Sequence, residues 1–172
     1  MVASRLLATA AFLEGRYVQA FPNFGLERRG APVTAFARID DSPIIDHSQI
    51  YKPDAVVVLE TTLLDIVNVT EGLKDGGFIV INTDLPPEQL KLPEGFTIGA
   101  VNAGGIAAAR GLGSRMSPIV NTAILGAFAR ATGYVSLESA VSAITKSVSV
   151  KPDKNIEACR QSYEEVRIIK PQ

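Results

Sequence analysis

The residues best equipped for chemistry lie in "FPNFGLERRGAPVTAFARI", positions 21–39. Phe24, Glu27, Arg28, Arg29 and Gly30 fall between Pro22 and Pro32, two rings that restrict the backbone on either side. A guanidinium can grip a carboxylate or phosphate with two parallel hydrogen bonds and can stack on an aromatic face. Glycine lets the backbone turn sharply or approach a partner closely. An arginine pair among aromatics, with one acid beside it, has the make-up of a contact surface for an anionic group on a protein or a cofactor. A solvated polar loop is the plainer alternative.

A second candidate is "SPIVNT", 117–122. Ser117 reads as an N-cap and Pro118 as the first helical residue. A helix start offers unpaired N–H groups and the positive end of a dipole. Asn121 and Thr122 add polar groups there, suited to a ligand or a subunit contact, although capping alone also explains the pattern. The glycine-rich pieces "AGGIAAA" (103–109) and "GLGSR" (111–115) lack the Gly-x-Gly-x-x-Gly spacing of a dinucleotide site and read as turns. His47, in "DHSQIY", and Cys159, on a polar helix, show no legible nucleophile–base pairing. No residue is assigned a catalytic role.

These groups must be positioned by an α/β framework. Ala3 to Leu13 is rich in Ala and Leu and reads as a helix stopped by Gly15. "YVQAF" (17–21) and "VTAFARI" (33–39) read as strands. In the second, Val33, Ala35, Ala37 and Ile39 share one face, while Thr34, Phe36 and Arg38 share the other. "PDAVVVLE" is apolar on both faces, the pattern of a buried parallel strand; "LKDGGFIVINTD" (73–84) reads as a turn feeding a second buried strand and "FTIGAVNA" as a third. Short helical pieces separate them: "TTLLDIVNV", "PPEQLK" and "GGIAAARGLG". The rest reads as helices: one beginning at Ser117 and ending at Gly133, one over "SLESAVSAITKSV", and a surface helix over "KPDKNIEACRQSYEEVRI". Strands alternating with helices predict a single domain over 1–172, a three-layer α/β/α sandwich with a mainly parallel or mixed sheet.

Composition narrows the function classes. The chain has 172 residues, is 47% apolar and carries a net charge of −1, so neither a nucleic-acid surface nor a polybasic membrane anchor is expected. Its longest apolar runs are strand-length. "MVASRLLATAAFLEG" reads as an amphipathic helix rather than a secretory leader, which points to the cytoplasm. With one cysteine and one histidine, the chain is not expected to hold an iron–sulfur cluster or zinc by itself.

"AFLEGRYVQAFPNFGLERRGAPVTAFARIDDSPI", 11–44, closely resembles the gamma subunit, or gamma domain, of the 2-oxoacid:ferredoxin oxidoreductases, the pyruvate synthase family. Similarity continues through "PDAVVVLETTLL", "GLKDGGFIVINT" and "VNTAILGAFARATGYVSLESA", nearly the whole chain. The resemblance implies one part of a larger assembly with alpha, beta and delta-type subunits. That assembly uses thiamine diphosphate with magnesium to decarboxylate a 2-oxoacid oxidatively. It passes electrons through [4Fe-4S] clusters to ferredoxin and forms an acyl-coenzyme A. The thiamine site and clusters would belong to other subunits, leaving this chain a noncatalytic role. Phe24, Glu27, Arg28, Arg29 and Gly30, with Asn121 and Thr122, would then face those subunits or the coenzyme A phosphates.

Family members usually begin with a strand and a glycine-rich turn resembling "GRGGQG"; this chain begins at Met1-Val2-Ala3-Ser4, inside the helix that follows. A truncated or misassigned N-terminus is the expectation. Within the family, an assembly acting on an aromatic 2-oxoacid such as phenylglyoxylate or indolepyruvate is the alternative. Outside it stand a nucleotide- or flavin-binding domain and a pure scaffold.

Overall fold

The computed structural model describes residues 1–23, 32–114 and 116–171. Helix α1 (Val2–Leu13) forms where Ala and Leu dominate, and buries Leu6, Ala8, Ala10 and Ala11. It stops as expected at Gly15, which takes φ +83° and donates its N–H to Phe12 O at 2.9 Å. The chain then turns back as an antiparallel pair, β1 (Tyr17–Pro22) with β2 (Ala35–Asp40), which forms a two-stranded sheet of its own. Cross-strand partners Val18 and Ile39 pack into the main core, and Ala20–Ala37 shares their face. Gln19–Arg38 and Phe21–Phe36 occupy the opposite face, the alternation read from the sequence.

Among the described residues the main sheet has four strands, in the order β3-β4-β5-β6. β3 (Ala55–Val58), β4 (Phe78–Asn82) and β5 (Thr97–Val101) are parallel, and β6 (Arg167–Ile169) joins β5 antiparallel. The sheet is therefore mixed. On one face, Val80 and Val101 meet α1, α2 (Ala103–Ala109) and α3 (Asn121–Thr132) in the principal core. On the other, Val58, Ile81 and Ala100 are covered by Leu63, Leu64 and Leu90, from and beside two short 3-10 turns at Thr61–Asp65 and Pro87–Gln89. The three-layer α/β/α arrangement holds, with one thick helical layer and one thin layer of single turns.

α3 is the hub of the thick layer. Its residues Thr122 to Ala129 are all buried, enclosed by the sheet and by α4 (Leu137–Ser147) and α5 (Pro152–Glu165). Gly133 ends it in the left-handed conformation at φ +67°. Ser136 caps α4 through Ser139 N, and Glu138 sits in the first turn, where its negative charge suits the helix dipole. Glu14 accepts the Ser136 N–H at 2.7 Å and so joins the end of α1 to the start of α4.

Three expectations need correction. α3 does not start at Ser117 and Pro118. The described residues on either side bond to one another instead: Ile119 N donates to Leu112 O at 3.0 Å, and Ser114 and Ser117 exchange backbone bonds. Gly113, at φ +78°, permits this turn, so the helix starts at Asn121 behind Val120, with no side-chain cap. Among the described residues β3 is an edge strand, and only Val58 of it is fully buried. Finally, "VRI" at the end of the last predicted helix leaves α5 and forms β6.

Candidate functional site

The outer face of the β1–β2 pair gathers the most polar and aromatic chemistry among the described residues. Phe21 and Phe36 sit directly opposite each other with ring centroids 5.4 Å apart. The Arg38 guanidinium lies 5.7 Å from the Phe21 centroid, a cation–π stack. Its Nη1 donates to Gln19 Oε1 at 3.3 Å and to Asp46 O at 3.0 Å, and its Nη2 to Asp46 Oδ2 at 3.2 Å. This one side chain thus binds the 46–48 segment to the strand pair. The Ser48 backbone N–H, 2.7 Å from Asp46 Oδ1, leads the interactions that hold the Asp46 carboxyl below its ordinary range; the Ser48 hydroxyl and Arg38 assist. Gln19 Nε2 and His47 Nδ1 are 2.6 Å apart.

This platform carries the segment that the sequence singled out. Asn23 N donates to Thr34 O at 2.9 Å, which closes the stem. Phe24, Glu27, Arg28, Arg29 and Gly30 lie outside the described residues.

The second candidate divides. Asn121 is the first residue of α3 and is partly exposed. Thr122 is buried, and its hydroxyl donates to Asn155 Oδ1 at 2.7 Å. Asn155 Nδ2 in turn donates to Val150 O (3.1 Å) and Lys151 O (2.9 Å). Thr122 therefore secures the α4–α5 junction. That junction needs securing, because Lys151 holds a left-handed φ of 48° there.

At the carboxyl end of the parallel strands, Asn82 was not singled out by sequence reasoning. Its Nδ2 donates to Leu59 O at 3.0 Å and its Oδ1 accepts the Gly104 N–H at 2.9 Å. It links the end of β3 to the start of α2. An asparagine closing an apolar strand was the available signal. Asn102 caps α2 through Gly105 N, and a Cβ at Gly105 would lie 2.8 Å from the Asn102 side chain. The paired glycines of "AGGIAAA" thus serve a local cap.

Cys159 is completely buried, and burial pushes its thiol up to about 12. Such a thiol supplies almost no thiolate at neutral pH. Among the described residues no three His, Cys, Asp or Glu side chains come together as a metal site. A single enclosed cysteine does not fit an iron–sulfur cluster. No helix among the described residues is long and apolar enough to cross a membrane.

Residues 1–165 match the sequence profile of the family described as pyruvate ferredoxin/flavodoxin oxidoreductase. The chain belongs to this family. Within it, the pyruvate/ketoisovalerate oxidoreductases common subunit gamma of Thermococcus kodakarensis is 52% identical over 168 residues, 95% of this chain and 88% of that protein. The pyruvate synthase subunit PorC of Methanothermobacter thermautotrophicus is 46% identical over 173 residues, 99% of this chain and 91% of that protein. The crystal structure of pyruvate oxidoreductase subunit PORC from Thermotoga maritima superimposes with a TM-score of 0.79 at 39% identity, covering 98% of this chain and 90% of that one. The resemblance read from "AFLEGRYVQAFPNFGLERRGAPVTAFARIDDSPI" is thereby borne out.

Proposed function

We propose that this chain is the gamma subunit of a thiamine-diphosphate-dependent 2-oxoacid oxidoreductase. In this reading the complex decarboxylates a pyruvate-like acid oxidatively, forms its acyl-coenzyme A and delivers electrons to ferredoxin. The observation that supports it is the 52% identity extending over 95% of the chain with a gamma subunit. Thiamine diphosphate with magnesium, held by other subunits, would supply the decarboxylation chemistry, and their [4Fe-4S] clusters would carry the electrons.

This chain's own contribution is positional. The strand pair β1–β2 offers a pinned stem, and Glu27, Arg28, Arg29 and Gly30 would extend from it toward the catalytic subunits or the coenzyme A phosphates. Two guanidiniums suit either a carboxylate or a phosphate partner. Phe24 and Asn121 would border the same contact. Thr122, whose hydroxyl is engaged by Asn155, would support that border from within.

The relative from Thermococcus kodakarensis is named for both pyruvate and ketoisovalerate oxidoreductases. Both acids therefore belong in the test. Native complex is to be purified through a tag on this chain, its co-purifying chains identified, and acyl-coenzyme A formation measured with each acid and ferredoxin. Recovery of thiamine- and cluster-bearing chains with 2-oxoacid-dependent turnover is expected. Recovery of this chain alone would refute the reading.

A further inference from the structure

The contacts of Gln19 determine the protonation pattern of His47. An arginine side chain has donors only, so the Arg38 Nη1 contact at 3.3 Å requires Gln19 to present its oxygen there. The Gln19 amide nitrogen must then face His47, 2.6 Å from Nδ1. That nitrogen only donates, so His47 Nδ1 must accept. A neutral imidazole in this position carries its proton on Nε2. Neither half of the arrangement turns freely. Reversing the amide would set two donors against each other at Arg38, and Arg38 also holds Asp46, the neighbour of His47, through its carbonyl and its carboxylate.

His47 is itself exposed, and its Nε2 has no partner among the described residues. An exposed side chain on an isolated surface gains little from such fixation, since its rotamer freedom is lost without burial. Tyr17, on the same strand face as Gln19, is 48% exposed, and Ile45 is 87% exposed. Phe21, Phe36 and Arg38 extend the face. Aromatic and arginine side chains around one aimed donor are the composition of a protein contact.

We infer that His47 Nε2–H is a preset donor for a neutral carbonyl oxygen on a partner subunit that covers the outer face of the β1–β2 pair. A carboxylate is disfavoured because the nearby Arg16 and Arg38 are already committed to Asp41 and Asp46, while Asp40 adds a further acid to the region. The inference rests on the subunit reading above and adds to it a contact surface, a direction and a chemical type of acceptor.

The first test is the imidazole tautomer in the full chain, read by nitrogen-15 NMR. The proton is expected on Nε2, and a proton on Nδ1 would overturn the inference. Gln19→Glu, which can only accept, is expected to move the proton to Nδ1 at about pH 9, where a free imidazole is neutral. The second test is association with the co-expressed subunits of the same oxidoreductase. His47→Ala is expected to weaken it on the order of tenfold, the effect of losing one interfacial hydrogen bond and leaving its acceptor unpaired. If the parent chain joins those subunits and His47→Ala joins equally tightly, the contact is wrong while the subunit reading stands. If the parent chain does not join them at all, both are wrong.

Discussion

Gly126 of α3 lies directly against the backbone carbonyl of Cys159 in α5. A Cβ at this glycine would overlap that carbonyl and lie 3.1 Å from Tyr163 N. The two helices therefore touch backbone to backbone. Gly126→Ala should gain up to about 1 kcal/mol in helix propensity. Forcing the helices apart should cost more, since overpacking a filled core destabilises by roughly 1–3 kcal/mol or beyond. A net loss of about 2 kcal/mol is expected in urea denaturation. An unchanged or raised midpoint would show that α3 and α5 are not so tightly apposed.

Thr122 and Asn155 form a buried polar pair at the α4–α5 junction. Thr122→Val keeps the shape but leaves Asn155 Oδ1 without its donor, which should cost about 1–3 kcal/mol. Thr122→Ser keeps the hydroxyl and should recover most of that loss. Equal stability of the two variants would remove the hydrogen bond from the account.

Cys159 should give the fold an alkaline limit. Its thiol is raised from an ordinary 9.0 to about 12 by burial. In the unfolded chain the thiol loses its proton at the lower value. Between these two values the unfolded state binds fewer protons than the folded one, so stability falls as pH rises through that window. The slope should approach about 1.4 kcal/mol per pH unit. Cys159→Ala should flatten this segment of the curve. A thiol reagent applied at pH 8 should leave the folded chain unmodified and label it only under denaturant.

Arg28 and Arg29 carry the most direct test of the proposed contact. Joint replacement by alanine should alter the stability of the chain by no more than about 0.5 kcal/mol if the loop is solvated. If these arginines meet carboxylates or phosphates in a desolvated interface, binding should weaken by about 2–5 kcal/mol. Loss of the other subunits on a sizing column would identify a protein clamp. An intact complex with weakened coenzyme A affinity would identify a cofactor contact. Arg→Lys should rescue only in part, because lysine retains charge without the two-pronged geometry.

The parts of the fold legible in the sequence were those governed by neighbours along the chain. α1 with its Gly15 stop, α4 with its apolar spacing, and the Gly133 end of α3 each follow from residues within one or two turns. What escaped depends on distant partners. The start of α3 was displaced because Leu112 and Ile119 bond across a turn that Gly113 permits. β6 is three residues long, and only its pairing with β5 makes it a strand. β3 looked interior because apolar residues fill both its faces, yet no periodicity records whether a strand has one neighbour or two. The site follows the same rule. "FARI" showed which side chains share a face, but not that Arg38 would orient Gln19 and Gln19 would orient His47. The polar type of Thr122 was visible, its inward direction toward Asn155 was not.

The last ladder of the sheet, finally, bears on how the molecule is made. β5 ends at Val101 and its antiparallel neighbour β6 starts at Arg167, so every residue of α2, α3, α4 and α5 lies between two strands that must touch. Such a long loop closes at a high entropic cost that its contacts recover only afterwards. During synthesis, β3, β4 and β5 can pair as they emerge, but the free side of β5 stays open until α2 to α5 and then β6 have left the ribosome. The interval is one in which a parallel, apolar sheet waits with an unsatisfied flank. Slower translation across the α3–α5 region should lengthen that interval and increase capture by chaperones.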